Sequence, residues 1–125
     1  MGIASYSVGK RWEDRVMRYY RKGGYATFKL ATDIAGTVFD IIAIKNNRVV
    51  CIEAKHTKTK RLYYKGSGLH GKRDDLDHFE RCGNFVILYV CSDIDGTYVI
   101  TWLRAKQIFE ERGYIISDDG VKIDV

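Results

Sequence analysis

Proline is absent from the 125 residues, so nothing in the chain marks a rigid linker between domains. Cysteine is scarce and poorly placed for pairing. Cys51, Cys82 and Cys91 are odd in number and lack CxxC spacing. They read as reduced thiols, with Cys51 and Cys91 inside strand-like runs that suit a core. Long apolar stretches are also missing. The longest, Phe85 to Cys91, is seven residues, against the roughly 20 that a membrane-spanning helix needs. No apolar segment follows the first basic residues, so neither a secretory signal nor a membrane partner is expected, and the chain reads as an intracellular, cytoplasmic protein. The composition is nevertheless globular, 46% hydrophobic and 30% charged, which excludes a disordered tail. A chain of this length reads as one domain, residues 1–125, able to bury roughly two-thirds of its unfolded surface without disulfides.

Acidic residues are rare in the first part of the chain. Residues 1–73 hold 16 Lys/Arg against 5 Asp/Glu, whereas residues 74–125 hold 5 against 11. The densest basic stretch, Lys55 to Arg73, has seven basic residues and no acid. Such asymmetry suits either a face built for a polyanion or a solvated basic surface.

Periodicity and breakers sketch the elements. Ser7 can cap a helix from about Val8 to Lys22, closed by Gly23 and Gly24, with Trp12, Val16, Tyr19 and Tyr20 on one face. Tyr25 to Leu30 reads as a strand and Ala31 to Gly36 as a loop. Val38–Ile44 and Arg48–Ala54 are β-rich runs joined by Asn46-Asn47, which suits a two-residue hairpin. Residues 56–71 are polar and glycine-containing, the pattern of a mobile arm. A short helix is expected over Arg73–Arg81, strands over Phe85–Cys91 and Tyr98–Trp102, and a helix over Arg104–Arg112 stopping at Gly113. Asp119-Gly120 suggests a small hairpin in the tail. The order makes a mixed α/β domain with a central sheet flanked by helices.

The Asn46-Asn47 hairpin brings chemistry together. With Lys45 facing Arg48, paired residues place Asp40 opposite Glu53, and Lys55 points to the same side of the sheet as Glu53. Both faces of the hairpin are otherwise apolar, so the carboxylates sit at the edge of a core. Opposed Cβ atoms stand roughly 4.5–5.5 Å apart, where like charges destabilise. A divalent cation held by both carboxylates offsets that repulsion, and Lys55 adds positive charge. Alternatively, Asp40 and Glu53 pair with Lys55 and a nearby arginine as a structural ion cluster.

Phe39-Asp40-Ile41-Ile42-Ala43 followed by Ile52-Glu53-Ala54-Lys55 resembles the D…ExK signature of the PD-(D/E)xK nuclease superfamily. Gly9-Lys10-Arg11-Trp12-Glu13 resembles the helix that opens archaeal-type (cellular or viral) Holliday junction resolvases, and the match spans about residues 7–92. Phe39 stands where that family usually has proline, and the loop 31–36 has no serine to match the family's. The resemblance implies a restriction-endonuclease-like fold. It further implies that Asp40, Glu53 and the Ala54 backbone carbonyl hold Mg²⁺, with Mn²⁺ able to substitute. Glu13 would complete the acidic site from the helix, through water, or else be an exposed helix-edge acid. Lys55 would orient the attacking water or stabilise the pentavalent phosphate.

Beyond Lys55, the cations Lys58, Lys60, Arg61, Lys65, Lys72 and Arg73, with Lys10 and Arg11, are candidates to neutralise phosphates. Tyr63 and Tyr64 either stack on splayed bases or pack the arm on the domain. His56 and His70 read as solvated. Gly66, Gly71 and Lys72 fit the skeleton of a nucleotide-binding loop, but Arg73 replaces the Ser/Thr that would hold Mg²⁺ and no buried strand precedes it. Asp93-x-Asp95-Gly96 is a turn rather than a calcium loop. Ile100, Trp102, Leu103, Ile108 and Phe109 either cover a second copy, as in the homodimeric resolvases, or fill the core. The sequence therefore points to a Mg²⁺-dependent endodeoxyribonuclease cutting four-way DNA junctions by symmetric nicks. The alternatives are a related nuclease acting on forks, flaps or duplex, and a non-catalytic nucleic-acid-binding protein.

Overall fold

The computed structural model describes residues 2–30 and 39–123, with side chains from Trp12 onward in the first helix. That helix, α1 (Gly2–Lys22), leads into β1 (Ala26–Lys29), β2 (Ile41–Lys45) and β3 (Arg48–Thr57). A two-residue strand β4 (Leu62–Tyr63), a 3₁₀ turn (His70–Lys72) and α2 (Arg73–Arg81) follow. The chain then forms β5 (Phe85–Ser92), β6 (Gly96–Thr101), α3 (Trp102–Arg112), β7 (Tyr114–Ile115), a second 3₁₀ turn (Ser117–Asp119) and β8 (Val121–Ile123).

Six strands make one mixed sheet in the order β1-β2-β3-β5-β6-β8. Its centre is the parallel pair β3 and β5, and its neighbours pair antiparallel. Alternation along β3 builds two cores. Val50 and Ile52 face α1 with Val16, Tyr20, Ile41 and Ala43. Cys51 faces the other layer, where Leu76 of α2 and Trp102, Ala105 and Phe109 of α3 pack on Leu88 and Val90. Period-two alternation thus assigns each β3 side chain to one layer or the other.

The hairpin register is Ile41–Ile52 through Lys45–Arg48, and Asn46 takes the left-handed conformation that its tight turn requires (φ 54°). α2 spans Arg73–Arg81 as the sequence predicts. α3 starts two residues ahead of the expected Arg104, because the Thr101 hydroxyl accepts the Arg104 N–H and so takes the cap position. Gly113 ends it with φ 85°. α1 begins at Gly2, so Ser7 lies within the helix rather than capping it; no proline or glycine intervenes to stop it between Ile3 and Val8. The expected loop 31–36 lies outside the described residues.

Two further expectations are corrected. Residues 56–71 are folded onto the body. β3 runs to Thr57, β4 pairs with β7, and Leu62, Tyr64 and Leu69 are buried in the α3-side core. Their irregular spacing hides an apolar anchor that no periodic pattern reveals. The tail is likewise not a hairpin. β7 pairs with β4 and β8 pairs with β6, each finding an open strand edge elsewhere in the fold. Ile100, Trp102, Ile108 and Phe109 fill the core, leaving Leu103 exposed. Trp102 Nε1 donates to Asp77 Oδ1 at 2.8 Å and Lys106 Nζ to the same atom at 2.9 Å, tying α2 to α3. Among the described residues no helix is long and apolar enough to cross a membrane.

Candidate active site

β3 outruns its neighbour. The β2–β3 ladder stops at Ile41–Ile52, while the pairing of β3 with β5 continues to Thr57–Ser92. Among the described residues no strand pairs with this edge of β3 beyond Ile52, and Asp40 bonds there through its side chain. Its backbone N–H donates to the Ile52 carbonyl at 3.2 Å, its carbonyl accepts the Leu30 N–H at 2.8 Å, and its Oδ2 accepts the Ala54 N–H at 3.0 Å. Phe39, buried edge-on against Phe79 of α2 with ring centroids 4.7 Å apart, anchors the approach to Asp40. In an extended strand a residue's N–H and C=O point the same way, so the Ala54 carbonyl is also turned to the Asp40 side.

Glu53 is 2% exposed, which is costly for a carboxylate without compensation. Burial pushes its carboxyl up to about 7, with the Asp40 charge adding to the shift and Lys55 and Lys72 opposing it. Lys72 Nζ lies 3.2 Å from Glu53 Oε1 and 3.1 Å from Oε2. Lys55 Nζ lies 3.5 Å from Oε1 and donates to the Ser67 carbonyl at 2.9 Å. The structure thus brings Asp40, Glu53, Ala54, Lys55 and Lys72 together.

Glu13 arrives from the α1 side. It pairs with Lys29 at 2.7 Å, and Lys29 stands opposite Ile41, one residue from Asp40. Among the described residues no three His, Cys, Asp or Glu side chains form a metal cluster, and the partner of Glu13 is Lys29. Two carboxylates and a carbonyl still fit a hard divalent cation, because Mg²⁺ is usually bound through one or two carboxylates plus water and substrate phosphate.

Lys58, Lys60, Arg61, Lys65 and Arg73 are exposed, and Tyr63 is 49% exposed. Arg61 lies over the Tyr114 ring at 4.3 Å. Tyr64 is different. It is 6% exposed and stacked on Phe109 at 4.6 Å and 7°, so no ring face is left for a base and its role is packing. The side chains of Lys10 and Arg11 lie outside the described residues. His56 is not simply solvated, since it stacks on Trp12 at 5.4 Å and hydrogen-bonds Asp93 at 2.8 Å. His70 is exposed. The grip of Lys72 on Glu53 has no sequence signal. The two are 19 residues apart and meet only because the 3₁₀ turn folds back over the sheet.

A mixed sheet whose central hairpin ends in Asp…Glu-x-Lys, with a helix layer on each face, defines the PD-(D/E)xK class of nucleases. Residues 4–88 match the family model of the archaeal Holliday junction resolvases (Hjc), and the chain belongs to that family. It is accordingly a structure-specific DNA endonuclease acting on junctions. The fold is similar to that of Archaeoglobus fulgidus Hjc, a Holliday junction resolvase from an archaeal hyperthermophile, known at 1.6 Å resolution. The two share 17% identity with a TM-score of 0.62, over 90% of this chain and 93% of that one. No curated protein matches the sequence.

Proposed function

We propose that the chain acts as a single nuclease domain that needs a divalent metal, Mg²⁺ or Mn²⁺, and cuts four-way DNA junctions by paired symmetric nicks as a homodimer. The observation that carries this reading is Asp40 bonded to the Ala54 N–H of β3, next to buried Glu53, whose carboxyl its charge raises, with Lys55 beside Glu53. Asp40, Glu53 and the Ala54 carbonyl are the oxygens that would hold the cation. When bound, the cation supplies charge neutralisation at the scissile phosphate and acidifies its bound water. Lys55 orients the attacking water or stabilises the negative charge that builds on the phosphorus oxygens. Glu13, fixed by Lys29 on the α1 side, bounds the site rather than ligating directly.

Lys58, Lys60, Arg61, Lys65 and Arg73, with Lys10 and Arg11 from α1, neutralise the phosphates of the junction arms. Tyr63 offers a ring face to an unstacked base. A homodimer matches the two-fold symmetry of a four-way junction and supplies two sites for two nicks.

The test is cleavage of an end-labelled four-way junction, a flap and a linear duplex, with Mg²⁺ or EDTA, by wild type, Asp40→Ala and Lys55→Ala. Paired symmetric nicks in the junction, lost with EDTA and in both variants by at least about 10²–10³-fold, are the expected outcome. Equal cutting of every substrate removes the junction preference. Binding without cleavage in any divalent metal removes the nuclease reading and leaves Asp40 and Glu53 as structure.

A further inference from the structure

The turn between β4 and the first 3₁₀ turn reaches the site through its backbone. Tyr64 and Leu69, at its two ends, are buried in the α3-side core, and the Tyr64 N–H donates to the Gly113 carbonyl at 2.9 Å. Between them the chain coils once. The Ser67 N–H donates to the Tyr63 carbonyl at 3.0 Å and the Gly68 N–H to the Lys65 carbonyl at 3.1 Å. The Ser67 hydroxyl locks this coil, donating to the Tyr64 carbonyl at 3.2 Å and accepting the Leu69 N–H at 3.3 Å. The Ser67 carbonyl then accepts a hydrogen bond from Lys55 Nζ at 2.9 Å. Its direction depends on the peptide plane shared with Gly68, whose φ of 83° is one that residues with a Cβ rarely adopt.

An ammonium group carries three donors on a flexible four-carbon stem, so it has no fixed position until some of them are engaged. Lys55 Nζ has two anchors: the Ser67 carbonyl at 2.9 Å and, farther off, Glu53 Oε1 at 3.5 Å. Glu53 is also a candidate ligand of the cation, so the Ser67 carbonyl is the anchor that cation binding does not draw on. Held at both points, the ammonium keeps donor capacity for a water or a phosphate oxygen. We propose, on the nuclease reading above, that Ser67 positions Lys55 for phosphodiester cleavage, its hydroxyl fixing the turn and its carbonyl fixing the ammonium. Ser67 acts on the phosphate through Lys55, so it is a positioning residue. Without the hydroxyl the turn loosens and the ammonium drifts, and a misplacement of about 1 Å can cost about 10²-fold in rate.

The experiment is single-turnover cleavage of an end-labelled four-way junction by excess full-length chain in Mg²⁺ or Mn²⁺, followed for hours so that slow residual rates are read. Junction affinity in EDTA and urea unfolding are measured beside it. Ser67→Ala cuts about 10- to 100-fold more slowly than wild type, with its affinity for the junction unchanged. Ser67→Thr, which keeps the hydroxyl, recovers most of the rate. Gly68→Ala behaves like Ser67→Ala, because its Cβ meets no neighbour within 4 Å and strains only the backbone that aims the carbonyl. On a Lys55→Ala background neither substitution slows cleavage further, since residues acting through one group are not additive. Cleavage at the wild-type rate by Ser67→Ala overturns the proposal. So does equal slowing by Ser67→Thr, a loss of junction affinity, which makes the turn a DNA contact, or a loss that multiplies with Lys55→Ala. If Ser67→Ala does not fold, Gly68→Ala decides by the same criteria; unfolding of both makes the turn purely structural and also overturns the proposal. Two results are read without any Ser67 variant. No cleavage by wild type in any divalent metal refutes the nuclease reading itself, and wild-type rates in Lys55→Ala refute the part given to Lys55; each takes the proposal with it.

Discussion

Replacing Glu53 by glutamine should stabilise the metal-free protein, by an amount that grows from about pH 4.5 and levels off above about pH 7. The Glu53 carboxyl is raised from 4.5 to about 7, first by burial and then by the Asp40 charge, against the pull of Lys55 and Lys72. A carboxyl raised on folding favours its protonated form in the folded state. Its contribution to stability is complete below the unfolded value and is lost as pH rises through about 7. At about 1.4 kcal/mol per pH unit, the full loss is about 3 kcal/mol, a large share of the 5–15 kcal/mol that holds a typical domain together. Glutamine has the volume of the protonated acid and never ionises. In EDTA, urea unfolding followed by the fluorescence of Trp12 and Trp102 should show Glu53→Gln level with wild type near pH 4. By pH 8.5 the variant should be more stable by up to about 3 kcal/mol. The same variant should have lost its cleavage, because stability is gained by deleting the ligand that function needs. An advantage of the same size at both pH values would refute the reasoning, since a packing effect does not titrate. A variant less stable at pH 8.5 would show that the two lysines outweigh the burial.

Tyr64→Ala should cost about 3–5 kcal/mol, as other aromatic truncations in a core do, whereas Tyr63→Ala should leave the urea midpoint unchanged and weaken junction binding. The Tyr64 hydroxyl is buried without a hydrogen-bond partner, so Tyr64→Phe should be neutral or slightly stabilising in the same assay. Gly120→Ala should destabilise by about 1–3 kcal/mol, because a Cβ there would stand 2.5 Å from the Val99 carbonyl oxygen where the tail crosses β6. A midpoint equal to wild type would mean that β8 is not held against β6 in solution. For DNA, neutralising any one of Lys58, Lys60, Arg61 or Lys65 should lower the slope of log affinity against log salt by about 0.9, and an unchanged slope removes that residue from the phosphate contacts.

Local chemistry settled what local chemistry can. Asn46-Asn47 fixes the hairpin and its register, because a two-residue loop admits little else, and that register ends at Ile41–Ile52, with Asp40 and Glu53 the next residues on either strand. The polar run ending in Gly83 marks α2, and a seven-residue apolar run and the Asp95-Gly96 turn mark β5 and β6. The acid–acid–lysine constellation follows from strand alternation, which needs no knowledge of the rest of the fold. Other features depend on partners distant in sequence. Residues 56–71 look mobile because their anchors, Leu62, Tyr64 and Leu69, follow no period, and only α3 and β7 show them what to pack against. The tail looks like a hairpin because its turn residues are legible, while the open edges of β4 and β6 that capture its two strands are not. Lys72 reads as one cation in a basic run until the 3₁₀ turn sets it on Glu53, across 19 residues. Sequence by itself determined which groups share a strand face. Tertiary structure decided how deeply Glu53 is buried and which lysine faces it, because burial and long-range charge pairing belong to the packed layers and not to any segment alone.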